Sequence, residues 1–216
     1  SHGPQIKILY ATENGLSKIS GLDLDSVEIV EVSDGVMKAM SDTVSPQGLI
    51  SLCYKPASDI AELSATGTST FIYLHEIQDP GNAGTILRTA DAMGISAIIT
   101  SPDSVDMFSP KVVRSTAGSL WHIPVYEGVA FSRVEKQFPA IQKFLLSSHA
   151  RTSILDLSVP GDCIAIFGNE ARGVSAADLG AEVTEVTIPM AGRAESLNLS
   201  AAASIVMFTL SSKVAG

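Results

Sequence analysis

The chain has 216 residues, 45% of them hydrophobic, and its 14 Lys and Arg against 23 Asp and Glu leave a net charge of −9. That length suits one domain or two unequal ones with a core that folds without staples, and the acidic balance, −5 before Gly67 and −4 after it, excludes a basic domain that grips nucleic acid through phosphates alone. No apolar run reaches the roughly 18 residues of a membrane span and no signal peptide is visible, which predicts a cytoplasmic protein with no membrane partner; two distant cysteines, Cys53 and Cys163, predict reduced thiols and no metal cluster.

From the N-terminus, residues 1–3 have the composition of a tag remnant, with the natural start expected upstream. Strand composition follows at Ile6–Ala11, 27–32 and 48–54, and a helix at 34–41 with Ser33 as its N-cap. These strands make a small α/β unit over residues 1–66, marginal alone. The polar, small-residue run at 64–69 reads as a linker into a second unit, 67–216.

The second unit alternates strand, loop and helix. Strands are expected at Thr70–Leu74, 97–100, 123–126, 144–147 and 163–167. Helices are expected at 83–93, stopped by Gly94, at 111–116, within 131–144, and at 176–179. Val183, Val186 and Ile188 form a last strand ended by Pro189, and a helix starts at Leu199, with Ser196 and Asn198 as candidate caps. Its second half, 205–210, is apolar on nearly every side and must be covered all round. Such alternation predicts an α/β fold, a mostly parallel sheet with helices on both faces, whose ligands bind beyond the C-terminal strand ends.

Three loops therefore belong together: DPGNAGTILR (79–88), FGNEARGVS (167–175) and IPMAGRAESLNLS (188–200). Each follows a strand and carries glycine where backbone must approach a ligand or another chain segment closely. None is the G-x-G-x-x-G dinucleotide fingerprint or a phosphate-binding P-loop.

At these loops the chain resembles the SpoU (TrmH-like) branch of the SPOUT RNA methyltransferases. Asn82, Gly84 and Arg88 match its N-x-G-x-x-x-R; Gly168, Glu170 and Gly173 match G-x-E-x-x-G; Ile188, Pro189, Met190, Gly192, Ser196, Leu197, Asn198 and Ser200 match I-P-M-x-G followed by S-L-N-x-S. The likeness covers about residues 71–210, with Arg114 and Gly118 included, and more weakly the run before Gly48 resembles the end of an L30e-like RNA-binding domain, truncated here. What the resemblance implies is S-adenosylmethionine-dependent methylation of a ribose 2'-hydroxyl in ribosomal or transfer RNA. It also implies a C-terminal deep trefoil knot and a homodimer with its active sites at the interface.

A sulfonium is already a good leaving group, so the protein must chiefly orient an in-line displacement and make a weakly acidic hydroxyl more nucleophilic. The resemblance assigns this to Arg88, Asn82, Glu170, Asn198 and Ser196, and places the cofactor against Gly168, Ile188 and Leu197. The residues leave other roles open. Arg88 could make a surface salt bridge with Asp91 or Asp79, Glu170 could serve a helix N-terminus, and Ser196 could be a simple cap. Two rival functions remain at this stage. One is a noncatalytic RNA-binding relative, which the acidic balance favours; the other is a different nucleotide-using enzyme, which the missing glycine fingerprint disfavours.

Overall fold

The computed structural model describes residues 4–214, so the tag-like residues 1–3 lie outside it. It forms two compact units that divide after Ala57. The smaller contains β1 (Ile6–Ala11), α1 (Glu13–Lys18), β2 (Glu28–Glu31), α2 (Asp34–Met40) and β3 (Leu49–Cys53). β1 is central, parallel to β2 and antiparallel to β3, over a core of Leu9, Ala11 and Met37. Ser33 caps α2 as expected, accepting the Val36 N–H. Helix α1 was not expected: Asn14 and Gly15 disfavour helix, but Thr12 Oγ1 accepts the Gly15 N–H and starts the turn.

The larger unit runs β4 (Thr70–Leu74), α3 (Pro80–Ala92), β5 (Ala97–Thr100), α4 (Pro110–Ser115), β6 (Val125–Tyr126), α5 (Phe131–Gln137), β7 (Gln142–Leu146), β8 (Thr152–Ser153), β9 (Cys163–Phe167), α6 (Ala176–Leu179), β10 (Thr184–Thr187) and α7 (Leu199–Val214). Its strands lie in the order β6-β5-β4-β9-β7-β10-β8, every pair parallel. The 64–69 run leads into β4, but residues just before it already belong here: Ile60 and Leu63 are buried with Phe71.

Side chains alternate across a strand, so a strand apolar at every position must be covered on both faces. In β4, Phe71 and Tyr73 face one core with Ile164, Ile166 and the α5 residues Phe131 and Val134. Ile72 and Leu74 face the other with Ile86 of α3, Val112 of α4 and Met207 of α7. Phe71 stacks on Phe138 with ring centroids 5.1 Å apart. The buried Tyr73 hydroxyl donates to the Val129 carbonyl at 3.0 Å, and burial pushes its phenol pKa far up. Both cysteines are free thiols; burial pushes Cys163 up to about 11.

Two helix ends differ from the sequence expectation. α3 starts at Pro80 rather than 83, because Asp79 accepts the Asn82 N–H at 2.7 Å and proline suits a first helical turn. Asn82 thus sits in the first turn of a helix, not in a loop. α7 is capped by Asn198, whose Oδ1 accepts the Ser200 N–H at 2.9 Å, so Ser196 is not its cap. Nor is α7 covered all round within one chain. Ala202, Ala203, Val206, Met207 and Leu210 are buried, while Ile205 and Phe208 are 38% and 63% exposed.

Gly84 lets α4 press on α3: a Cβ there would lie 1.7 Å from Ser115 Oγ and 3.1 Å from the Val112 carbonyl oxygen. Gly84→Ala should therefore destabilise the fold by about 1–3 kcal/mol through overpacking, although alanine is the better helix former. Urea unfolding measures this, and a Ser115→Gly background should recover part of the loss.

Candidate active site

Beyond the C-terminal ends of β7, β9 and β10 the chain encloses a cleft of about 230 Å³ with apolar walls from Leu146, Phe167, Ile188 and Leu199. Gly168, Leu197 and Ser196 also line it, so all three positions expected to meet a cofactor share one cavity. A wider cleft of about 620 Å³, lined mainly by residues with polar side chains, lies at the exits of β4 and β9, bounded by Gln78, Asp79, Asn82 and Asn198. Asn169 and Glu170 line both clefts. The polar cleft occupies the switch point of the sheet, since the chain runs outward from β4 through β5 to β6 on one side and has β9 on the other.

Glu170 joins the loops. Its carboxylate accepts the Asp79 N–H at 3.1 Å, the Gln78 N–H at 3.2 Å and the Asn82 side-chain amide at 3.3 Å. Asn82 Oδ1 in turn accepts from Asn198 Nδ2 at 3.1 Å. Partial burial pushes the Glu170 carboxyl up, but the N–H groups of Asp79, Glu170 and Gln78 and the Asn82 amide outweigh it and hold its pKa below the ordinary value. Sequence reasoning had allowed a carboxylate serving a helix N-terminus, and this is what forms, although the helix served is α3 rather than α6, the helix that follows Glu170 in the chain.

The turn after β9 closes on itself. The Asn169 carbonyl accepts the Gly173 N–H at 2.8 Å, and a Cβ on Gly168 would sit 2.4 Å from Gly173 C and Val174 N. Of the two reasons for glycine here, approach to another chain segment is the one observed; Gly192 has nothing within 4 Å of such a Cβ.

Arg88 is exposed on α3 and lines neither cleft. Six residues past Asn82 is about 240° round a helix, so the two face different ways. The salt bridge weighed for it is not formed among the described residues. Asp91 pairs with His122 at 2.8 Å, and Asp79 caps α3. Sequence reasoning passed over Asn169 and Gln78, which have a detectable signal: each is an amide inside or beside a motif, able to donate and accept at once.

The profile described as the SpoU rRNA Methylase family matches residues 69–208, which contain every strand and loop of both clefts. The chain belongs to that family. Among its SpoU relatives, the "23S rRNA (guanosine(2553)-2'-O)-methyltransferase RlmP" of Bacillus subtilis is 30% identical over 87% of this chain and 75% of its own length. The "23S rRNA (uridine(2479)-2'-O)-methyltransferase" of Streptomyces viridochromogenes is 28% identical over 96% of this chain and 76% of its own. A solved SpoU-like structure, an AdoMet-bound rRNA methyltransferase from Sinorhizobium meliloti, superposes with a TM-score of 0.86 at 27% identity, covering 97% of this chain and 80% of that one.

The depressed pKa of Glu170 sets a pH signature. A carboxyl with a lowered folded pKa contributes stability that is fully present above its unfolded value, near 4.5, and is lost as pH falls through the folded value. Glu170→Gln should cost about 1 kcal/mol at neutral pH, because its amide nitrogen cannot accept. The gap between wild type and variant should stay constant from pH 8 to about 5 and narrow only below the ordinary carboxylate range; urea unfolding across pH reads it.

Proposed function

We propose that this SpoU chain transfers a methyl group from S-adenosylmethionine to a ribose 2'-hydroxyl of ribosomal or transfer RNA, with the cofactor in the apolar cleft and the ribose in the polar one. The observation that carries this reading is the hydrogen-bonded line Glu170–Asn82–Asn198, which ties all three motif loops together where the clefts meet. The residues fit the cofactor. Leu146, Phe167, Ile188 and Leu199 offer walls for a flat base, Ser147 and Ser196 offer hydroxyls for a ribose, and the Glu170 carboxylate at the junction suits a positive charge. The cofactor supplies an activated methyl group on a sulfonium. Gly168, Ile188 and Leu197 would hold it, and Asn82, Asn198 and Ser196 would orient the accepting ribose for in-line transfer.

Arg88 enters this scheme through a second copy. The exposed stripe of α7, Ile205 and Phe208, runs beside α3, where Thr89 Oγ1 lies 3.4 Å from Ser204 Oγ. We propose that two chains pair through this α3–α7 face as a homodimer, and that Arg88 of one chain holds the hydroxyl and neighbouring phosphate at the site of the other. A planar fork suits that task better than a proton acceptor's role. We also propose the trefoil knot, supported by the insertion of β9 between β4 and β7 and by the tight closure at Gly168. The N-terminal unit fits part of an L30e-like RNA-binding domain and the larger unit fits the methyltransferase domain, with the boundary after Ala57 rather than at the residue 66 expected from sequence. We place the protein in the cytoplasm, with its RNA.

Labelled S-adenosylmethionine offered with separate ribosomal and transfer RNA pools should label one pool at a 2'-O position. In that assay Arg88→Ala and Arg88→Lys should each lower transfer by about 100-fold or more, with stability within about 1 kcal/mol and cofactor affinity near native. Near-normal turnover in both returns Arg88 to a surface role.

Light scattering should give a dimer for the wild-type chain. Phe208→Glu should give a folded monomer, since the charge would be buried unpaired at the interface. A wild-type monomer at all concentrations removes the dimer.

A further inference from the structure

We propose that Glu76 is a positioning residue for the cofactor cleft, acting through its main-chain carbonyl on the side chain of Asn169; this rests on reading the 168–173 turn as a cofactor wall. The last rung between β4 and β9 is the His75 N–H donating to the Phe167 carbonyl at 2.8 Å. Immediately beyond it Glu76 adopts a φ of 52°, a left-handed conformation that non-glycine residues seldom hold.

Its surroundings hold it there. The Glu76 N–H donates to Ser101 Oγ at 2.7 Å. Its carbonyl accepts from Asn169 Nδ2 at 2.8 Å and Gln78 Nε2 at 3.1 Å, and its carboxylate pairs with Arg172. Asn169, gripped at its amide nitrogen, uses its Oδ1 to accept the Ala171 and Arg172 N–H groups at 3.0 and 3.3 Å. The shape of the turn from Gly168 to Gly173 therefore depends on where one carbonyl of a different loop points. Asp103 is another left-handed residue, φ 63°, and its carbonyl accepts from the same Gln78 Nε2 at 2.6 Å. Backbone strain that neighbouring bonds over-determine, gathered beside a ligand cleft, is the pattern of a preorganised site. An extended residue at 76 would swing the carbonyl away from β9 and release Asn169, which lines both clefts.

The test separates backbone from side chain. A β-branched residue resists the left-handed region, whereas glycine adopts it freely. Glu76→Val, checked for folding by circular dichroism, should bind S-adenosylmethionine about 10-fold or more weakly by calorimetry, the scale of one lost hydrogen bond. Glu76→Gly should restore most of that affinity, to within about 3-fold of wild type. A folded Glu76→Val with wild-type affinity overturns the proposal, and so does a Glu76→Gly that loses as much as the valine, since the side chain would then be the agent. A purely structural role predicts lowered melting temperatures with unchanged affinity, which also overturns it. If Glu76→Val does not fold, Glu76→Ala replaces it and should bind more weakly than Glu76→Gly; equal affinities overturn the proposal. Gly168→Val in the same titration checks the underlying reading. If wild type binds and Gly168→Val binds equally well, the cleft assignment fails; if Gly168→Val loses binding and Glu76→Val does not, only the role of Glu76 fails.

Discussion

Where the chain turns out of β4 toward α3 it must leave the sheet ladder before the helix can begin, and the N–H groups of Gln78 and Asp79 are stranded between the two. The Glu170 carboxylate, brought from another loop, takes both. Both bonds are solvent-exposed, so each contributes only the net gain of an ordinary hydrogen bond, about 0.5–1.5 kcal/mol, and a carboxylate near a helix start also gains from the helix dipole. With Glu170 in place the Asn82 amide can point only one way: its nitrogen donates to Glu170 and its oxygen accepts from Asn198. Asn198 in turn caps α7. The entry to the first long helix and, through Asn82 and Asn198, the start of the last are thus linked by one negative charge.

The helix α7 unites two demands that its sequence states plainly. Its small residues Ala202 and Ala203 are buried against the larger unit's sheet, as is Met207, while Ile205 and Phe208 stay outside. The helix therefore carries apolar residues on opposite sides, one packed within the chain and the other the face on which the proposed homodimer rests.

Much of this was legible from residues alone. The apolar run of β4 announces a strand covered on both faces, and Ser33 is a cap whose chemistry is local, whereas the equally local Asp79–Pro80 start of α3 lies in a stretch that the sequence reading assigns to a loop. The motif loops could be grouped because each follows a strand, and in a parallel sheet all strand exits share one edge. Strand order could not be read, because nothing in the composition of Cys163–Phe167 tells whether it lies at an edge or between β4 and β7. The reason for glycine at positions 84 and 168 was equally hidden: what each avoids, Ser115 and Gly173, is set by tertiary packing. The left-handed turn at Glu76 has no residue signal at all, because glutamate is an ordinary choice almost anywhere else. Arg88 was drawn toward the site by its motif, while the helical period that turns it away from Asn82 was already present in the spacing.

The placement of β9 governs how the molecule can be made. Thr70 and Cys163 are neighbours in the sheet yet 93 residues apart in the chain. On a ribosome adding about 5–20 residues per second, β4 waits roughly 5–20 s after its own synthesis for the strand that closes its second edge. Through that interval β5 covers one edge only, and a strand apolar on both faces presents the other to the cell, the surface on which foreign strands pair. Contacts of such long range also form slowly once the chain is free. The arrangement that builds both clefts at one edge of the sheet therefore exposes the nascent chain to aggregation, and it gives chaperones a defined segment, residues 70–74, to shield until residue 167 has emerged.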